Sequence, residues 1–193
     1  MRRHVFPPAV QPWRALRETP FGEVAVLWQD GEHGPRILRV ILSTPQAQAS
    51  CIVAASFPLS RPGSCPAVDQ LCDQMVSFLS GENVVFSLDM LRWEGCSGFR
   101  RQVLLAEHAI PRGRVSSYQR IAAQLGRPGA ARAVGTALAA NPFPILIPCH
   151  RAIRSDGSLG GYQGGLAMKR ALLEMEGVRV DATGRVNPKA FYY

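Results

Sequence analysis

The sequence predicts a small α/β unit, with a sheet and a helix, over residues 1–90, followed by a mostly helical, winged-helix-like unit with a helix-turn-helix over residues 91–193. Two observations support this division. The first half contains short β-rich runs separated by turn-forming Gly, Asp and Pro. The second half contains apolar residues at helical spacing, interrupted by Gly and Pro.

The composition is that of a globular protein that remains inside the cell. The chain has 193 residues, of which 47% are hydrophobic, enough for a proper core. We find neither the run of about 18 apolar residues that a membrane span needs nor, in the N-terminal "MRRHVFPPAVQPWRALRE", the apolar region of a secretory signal. The five cysteines include no C-x-x-C pair, which indicates reduced thiols rather than a disulfide framework.

The charge favours a polyanionic partner. The formal net charge is +8 and the isoelectric point is about 9.8. Basic side chains placed near phosphates release condensed counterions, which favours binding to nucleic acid. Charge alone does not identify such a partner.

In the first half, the β-rich runs 22–28 and 37–42 are separated by "QDGEHGPR", which predicts a hairpin. Four apolar residues at helical spacing then predict a helix that ends at Gly81: Val68, Leu71, Met75 and Phe78. We expect a short strand over Val84 to Leu88, and we assign no element to residues 43–66.

The second half predicts a series of helices. An apolar stripe predicts the first, which ends before "PRGR": Phe99, Val103, Ala106 and Ile110. Ser116 and Gln119 fit a capping box that starts the next helix near Ser117. That helix ends at Gly126 and "GAARAVGTALAAN" resumes a helix at once, as in a helix-turn-helix, although many helical hairpins share this pattern.

The second helix of this pair is rich in small residues. Arg132 is its only charged residue before Asn141. Small residues allow close approach to another surface, and a single arginine on such a helix could insert into a groove. The alternative is an Ala-rich packing helix on which Arg132 pairs with an acid.

The segment "NPFPILIPCHR" predicts a rigid, mostly buried loop, because its three prolines exclude a helix. Asn141 is suited to holding a turn there. On an extended chain Cys149 and His150 would point to opposite sides, so their cooperation requires a local turn or a bridging water. A thiolate nucleophile needs a proton acceptor, and a histidine oriented by a carboxylate would serve.

Helical phase in "GGLAMKRALLEMEG" indicates a candidate for that carboxylate. At about 100° per residue, Glu176 lies near the middle of a broad apolar face that includes Leu166 and Leu172, and Glu174 lies opposite. Pairing Glu176 with His150 would relieve the cost of an unpaired buried carboxylate. The alternative is that Glu176 simply lies at a frayed helix end before Gly177.

Three segments carry a family resemblance: "FRRQVL", "GRVSSYQRIAAQLGRPGAARAVGTALAANPFPILIPCHR" and "GSLGGYQGGLAMKRALLEMEG". Together they resemble the DNA-binding and active-site domain of the O6-alkylguanine-DNA alkyltransferases, the methylated-DNA–protein-cysteine methyltransferases, from about Gly98 to Gly177. "TPFGEVAVLW", "ILRVIL" and "FLSGENVVFSL" resemble the N-terminal α/β domain of that family more loosely.

The resemblance implies a role for each matching residue. Cys149 is the alkyl acceptor, His150 the base that acts through a water, and Glu176 the acid that orients His150. Tyr118 acts at the flipped nucleotide, Arg132 fills the vacated stack, and Asn141 is the hinge between helix and active-site loop. We also assign Ala131, Gly135 and Arg151 to the DNA-binding surface, and Val134, Pro144, Tyr162, Gln163 and Gly164 to the substrate pocket.

The implied function is suicidal repair of double-stranded DNA that contains O6-alkylguanine, by a methylated-DNA–[protein]-cysteine S-methyltransferase that acts as a monomer. No cofactor is implied. A metal is not expected, since His4 and His33 have no nearby cysteine. The sequence departs from the family at Leu104, where many relatives have Trp, and at Gln163, where some have Ser. Lys169 is expected at the pocket rim.

Two other hypotheses stay open: a lesion-binding protein that does not react, and a helix-turn-helix transcription factor or cysteine hydrolase that uses the same residues differently. Alkyltransferase-like proteins bind lesions without reacting, but they lack the acceptor cysteine that Cys149 supplies here. A helix-turn-helix transcription factor would require several polar base-reading side chains on the second helix. A cysteine hydrolase would turn over and would not need an Ala-rich helix with Arg132.

Overall fold

The computed structural model describes residues 11–193. Its first half contains a four-stranded sheet in the order β3-β2-β1-β4. The β1-β2 and β2-β3 pairs are antiparallel, and the β1-β4 pair is parallel. The strands are β1 (Trp13–Arg17), β2 (Val24–Gly31), β3 (Gly34–Leu42) and β4 (Arg61–Pro62).

The predicted hairpin is confirmed as β2 and β3. Both strands extend into the predicted loop, so that only Glu32 and His33 remain between them. Alternating side chains of the hairpin point to opposite faces. One face packs against helix α2 (Pro66–Leu79) and the second half of the chain, and the other packs against helix α1 (Ala49–Ser56).

Two expectations for the first half need correction. The strand expected over Val84 to Leu88 is wrong, because this segment is irregular. The chain instead pairs with the sheet a few residues later: Ile37 N–H donates to the Met90 carbonyl (2.7 Å), and Arg92 N–H donates to the Ile37 carbonyl (2.9 Å). Helix α1 lies in the segment to which the sequence assigned no element.

The second half is mostly helical, as predicted. Its helices are α3 (Gly98–His108), α4 (Tyr118–Gln124), α5 (Ala131–Ala139) and α6 (Gly165–Met175). A two-stranded parallel sheet joins β5 (Ser116–Ser117) to β6 (Ala152–Ile153). The short 3₁₀ turns are Cys149–Arg151 and Pro188–Ala190.

Helices α4 and α5 form the predicted helix-turn-helix, but its cap lies one residue later than expected. The Ser117 hydroxyl accepts a hydrogen bond from the Arg120 N–H at 3.1 Å. Ser116 is buried in β5, so it does not form a capping box with Gln119. Ser117 thus satisfies one of the free N–H groups at the start of α4.

The sheet supports the Pro-rich loop of the second half. Val40 on β3 donates its N–H to the Pro142 carbonyl at 2.8 Å. One continuous apolar cluster contains residues from both regions, including Trp28, Phe78 and Phe143. Arg112 also links the two halves, because its guanidinium donates to the carbonyls of Gly81, Glu82 and Met175.

Candidate active site

The Pro-rich loop is held in one conformation by Asn141. The Asn141 side chain accepts from the Phe143 N–H (2.9 Å) and donates to the Ile147 carbonyl (3.2 Å), so it bridges both ends of the loop. Between them, Ile145 has φ of 74°, a strained value for a β-branched residue. Such strain persists only where the surroundings impose it, often at functional sites.

The loop delivers Cys149 and His150 in a 3₁₀ turn rather than on an extended chain. Cys149 N–H donates to the Ile147 carbonyl, and Arg151 N–H donates to the Pro148 carbonyl, both at 2.8 Å. Cys149 is 7% exposed and His150 is fully buried. The local turn is one of the two solutions that the sequence allowed for these neighbours.

Glu176 lies beside His150, as helical phase indicated. His150 Nε2 lies 2.9 Å from Glu176 Oε1. Glu176 is buried and Glu174 on the same helix is exposed, but Leu166, expected on the buried face, is 57% exposed. The hydrogen bond and the burial therefore exclude the alternative in which Glu176 lies at a frayed helix end.

Arg151 does not lie on the DNA-facing surface, which corrects its assignment. Its guanidinium makes a bidentate contact with Glu176, at 2.9 Å from Nε and 2.8 Å from Nη2. Its third hydrogen bond, from Nη1, goes to the Ile110 carbonyl at 2.5 Å. A buried carboxylate needs this kind of compensation, so Arg151 holds Glu176 ionised behind His150.

The hydrogen bond to Glu176 fixes the proton on His150. An ionised carboxylate only accepts hydrogen bonds, so Nε2 carries the hydrogen and Nδ1 has a free lone pair in the neutral ring. Nδ1 is buried and has no hydrogen-bond partner in the protein. His150 is thus a neutral base whose accepting atom is available.

The pKa values fit this assignment. Burial raises the pKa of Glu176, but hydrogen bonds and charges from His150 and Arg151 outweigh it and lower that pKa to about 2. Burial lowers the pKa of His150, against an opposing contribution from Glu176. Burial raises the pKa of Cys149 to about 11, so the resting group is a thiol that needs a base.

A cavity of about 320 Å³ opens over Cys149. Its lining includes Tyr118, Tyr162 and Gln163, with Gly135 from α5. Gln163 Nε2 donates to the Asn141 carbonyl at 2.9 Å, which fixes the amide against the loop. The cavity is mostly apolar with a few polar groups, as expected for a ligand pocket.

Three residues expected in the pocket do not line it. Val134 and Pro144 are buried in the packing around it. Gly164 lies against the Met168 thioether and the Tyr162 ring, so a Cβ there would collide with them. Gly164 thus leaves space for the side chains of Met168 and of Tyr162, which lines the pocket. A wider groove of about 1250 Å³ lies near the C-terminal segment, but Cys149 is not part of it.

Tyr118 lies at the pocket with a protonated hydroxyl. Burial raises its pKa, and the charges of Glu107 and Cys149 add to that rise. A Cβ on Gly160 would lie 2.8 Å from the Tyr118 hydroxyl, so a glycine permits this close approach. The sequence reasoning missed Gly160, whose only local signal is its place in a Gly-rich loop.

Helix α5 presents Arg132 to solvent. The side chain is exposed, and its guanidinium makes no hydrogen bond or ion pair within residues 11–193. Ala131 and Gly135 are half-buried on the same helix, and Gly135 reaches the pocket. The alternative in which Arg132 pairs with an acid is therefore not found.

Lys169 and Glu107 lie in the interior. Lys169 was expected at the rim, but it is fully buried and donates to the Ala152 carbonyl at 2.6 Å. Glu107, which sequence reasoning did not single out, is also fully buried. Glu107 lies on α3, the helix whose apolar stripe includes Val103. No pattern in the sequence indicates that a carboxyl group is buried on this helix.

The described part of the chain contains no group of three or more His, Cys, Asp or Glu side chains that could hold a metal ion. His4 lies outside the described residues. No helix within residues 11–193 is long and apolar enough to cross a membrane.

Comparison with known proteins connects this site to a family. Residues 98–178 match the family model described as the DNA-binding domain of 6-O-methylguanine DNA methyltransferase. A methylated-DNA–protein-cysteine methyltransferase of Methanothermobacter thermautotrophicus is 48% identical over 115 residues. That match covers 60% of this chain and 64% of the relative, so the chain spans less than two thirds of that protein.

Solved structures share most of the fold. The crystal structure of the Mycobacterium tuberculosis O6-methylguanine methyltransferase is 32% identical, with a TM-score of 0.67, covering 90% of this chain and 97% of that one. The Mycobacterium tuberculosis OGT in complex with DNA is 33% identical, with a TM-score of 0.65, covering 85% and 92%. The similarity therefore includes the first half as well as the site.

Proposed function

This chain belongs to the methylated-DNA–protein-cysteine methyltransferase family, and we propose that it repairs O6-alkylguanine in double-stranded DNA by transferring the alkyl group to its own Cys149. The family membership rests on relatives that match at 32% identity over nearly their full length. The solved complex of a relative with DNA supports DNA as the partner.

One observation supports this function above the others. Cys149 lies on a pocket sized for a small ligand, and the next residue, His150, is tied to a buried Glu176–Arg151 pair. The thiol is buried and the base is neutral with a free Nδ1. This arrangement suits a thiol that is deprotonated only when a substrate fills the pocket.

The proton path follows from these atoms. We assign a water between the Cys149 sulfur and His150 Nδ1, which takes the thiol proton to the imidazole. The resulting imidazolium is stabilised by the Glu176 carboxylate at Nε2. The thiolate then attacks the alkyl carbon, and an S–C bond forms as the bond from that carbon to O6 breaks.

The leaving guanine needs a proton, because O6 keeps the electron pair of the broken bond to the alkyl carbon. Tyr118 lines the pocket, and its raised pKa keeps the hydroxyl protonated at neutral pH. We assign Tyr118 as the donor to a ring nitrogen. Proton transfer of this kind contributes about 10²–10⁴-fold to such reactions.

The base must first leave the duplex, at a cost of a few kcal/mol. Arg132 is exposed and unpaired on α5, which also contributes Gly135 to the pocket wall. An inserted Arg132 would fill the space left by the flipped base from the minor groove. Ala131 and Gly135 allow the close approach that this insertion requires.

The thioether product cannot be hydrolysed by any group at this site, so each molecule acts once and without a cofactor. We propose that the protein acts as a monomer inside the cell, where its DNA substrate lies. We also retain the domain boundary near residue 90, with residues 1–90 as a structural domain and 91–193 as the reactive one. The family match that starts at residue 98 supports this boundary.

The test is a titration of the protein with a duplex that carries one O6-methylguanine. We expect one equivalent of guanine restored per protein molecule and no further turnover. Cys149→Ala should bind the duplex and restore none. Multiple turnovers would contradict the proposal, and binding without transfer by the wild-type protein would instead support a lesion-binding function.

A further inference from the structure

Glu107 on α3 is a fully buried acid without a hydrogen-bond partner. Its exposed fraction is 0%, and neither carboxylate oxygen is within hydrogen-bonding geometry of a protein donor. An ionised carboxylate in such surroundings is costly. Buried polar groups without a hydrogen-bond partner are rare in protein interiors. The proposed reaction makes no use of this group.

Lys169 on α6 is a buried residue of opposite charge type. It is also 0% exposed, and Nζ donates to the Ala152 carbonyl (2.6 Å) and the Gly161 carbonyl (3.4 Å). The ammonium has no carboxylate within 4.0 Å in the part of the chain that the structure describes. Its charge is therefore held by carbonyl dipoles and by more distant charges.

These two groups belong to helices that both contact the turn carrying the reactive thiol. Helices α3 and α6 both pack against the turn Cys149–Arg151. The charges of Lys169 and Arg151 act on Glu107, whereas the Asn141 side chain and the charges of Glu107 and Lys169 act on Cys149. The remaining titratable groups around them are the hydroxyls of Tyr118, Tyr162 and Tyr193, the His150 ring, Arg154 and Glu176.

We propose that Glu107 is a positioning residue for the alkyl-transfer reaction: together with the Lys169 ammonium in the same dry interior, its carboxyl group sets how readily Cys149 becomes a thiolate. This inference rests on the proposed function of Cys149. A positive charge near the sulfur favours the thiolate, and a negative charge opposes it. Glu107 thus acts through the sulfur and does not contact the substrate.

The protonation states give the direction. Burial raises the pKa of Glu107 to about 8, despite the opposing charges of Lys169 and Arg151. Burial lowers the pKa of Lys169 to about 8. At neutral pH most Glu107 is therefore uncharged and most Lys169 is charged, which favours the thiolate. Above that pH the Glu107 carboxylate forms and opposes it.

The experiment measures thiol reactivity without DNA. Wild type and Glu107→Gln are treated with iodoacetamide between about pH 6 and pH 9, and peptide mapping gives the rate at Cys149. We expect equal rates near pH 6 and a rate about threefold to tenfold higher in the variant near pH 9, since one pKa unit is a factor of ten. Cys51, an exposed thiol, is the internal control and should react equally in both proteins.

Lys169→Met gives the opposite pattern. Its Cys149 should react several-fold more slowly than wild type near pH 7, and the two rates should converge near pH 9, where wild-type Lys169 has lost its charge. If Lys169→Met fails to fold, the pH profile of Glu107→Gln still tests the role proposed for Glu107. Superposable Cys149 profiles for wild type and Glu107→Gln would overturn the proposal, because a merely structural Glu107 would change stability and not the pH dependence.

This test separates the inference from the function on which it rests. Iodoacetamide reports the state of the thiol whether or not the protein repairs O6-alkylguanine. If the pH profile of Cys149 alkylation differs between wild type and Glu107→Gln but the protein repairs no O6-alkylguanine, the proposed function alone is contradicted. Repair with an unshifted profile would contradict the role of Glu107 alone.

Discussion

The two halves of the molecule bury very different groups. Among residues 11–97, Ser60 is the one buried polar residue, and the sheet and its two helices are packed with aliphatic and aromatic side chains. Eight buried polar or charged residues all lie in the second half: Glu107, Ser116, Ser117, Asn141, His150, Arg151, Lys169 and Glu176. Five of these eight carry or gain charge: Glu107, His150, Arg151, Lys169 and Glu176.

The contrast separates stability from chemistry. Burial of apolar area stabilises the first half at little electrostatic cost. Buried charges add little stability compared with apolar packing, so their concentration around one thiol indicates a functional use. Substitutions in the second half should therefore change the rate of alkyl transfer, whereas substitutions in the first half should change stability alone.

The largest effect is expected for Glu176→Gln. The amide cannot stabilise the imidazolium, so the single-turnover rate should fall by about a hundredfold or more. Arg151 would also lose its anionic partner, which should lower the free energy of unfolding by about 3–5 kcal/mol. Rapid-quench repair assays and urea unfolding measure the two effects.

The matched control is Glu174→Gln, two residues earlier, in the last turn of α6. Glu174 forms an exposed pair with Arg170 at 2.9 Å, and its loss should leave the rate unchanged. Equal rates for Glu174→Gln and Glu176→Gln would show that the buried relay is not needed for transfer.

A smaller effect is expected for Arg132→Ala, which removes the exposed side chain that we propose fills the space left by the flipped base. Repair of O6-methylguanine in duplex DNA should fall by at least about tenfold, corresponding to part of the few kcal/mol cost of base extrusion. Reaction with free O6-benzylguanine should be unchanged, because no base has to be extruded. An equal loss on both substrates would count against the extrusion role.

Acid should weaken the second half through Glu176. Its pKa is about 2 in the folded protein and near 4.5 when unfolded, so its contribution is complete above about pH 4.5 and is lost as pH falls towards 2. The loss should reach about 3 kcal/mol, measured by urea unfolding across this range. Glu176→Gln should show a flatter dependence, and parallel curves for the two proteins would exclude Glu176 as the source.

The smallest effect on transfer is expected for Leu27→Ala in the first half. Leu27 is fully buried between the sheet and α1, away from the pocket. The free energy of unfolding should fall by about 2–5 kcal/mol, while the transfer rate of the folded protein stays the same. A large change in that rate would show that the first half takes part in the chemistry.

Local patterns predicted much of this molecule. The hairpin, helix α2 and the helix-turn-helix follow from period and turn residues, and the inward position of Glu176 follows from helical phase. The Pro-rich loop was also predicted, because proline restricts the chain wherever it occurs. These features depend on residues close together in the sequence.

The incorrect predictions involve contacts between residues that are far apart in the sequence. Arg151 was assigned to the DNA-binding surface, but Glu176 and the Ile110 carbonyl bind it in the interior. The strand expected at residues 84–88 is irregular because Ile37 pairs with residues 90–92 instead. Glu107 was missed because a single carboxyl group in an apolar stripe has no local signature of its environment.

The central claim is that Cys149 is the residue consumed. The direct measurement uses a duplex whose O6-methyl group carries deuterium, followed by proteolysis and mass spectrometry of all five cysteines. We predict that the labelled methyl group is found on the Cys149 peptide alone, at one equivalent per protein molecule. Label on Cys51, Cys65, Cys72 or Cys96, or repaired DNA with no label on Cys149, would contradict the account.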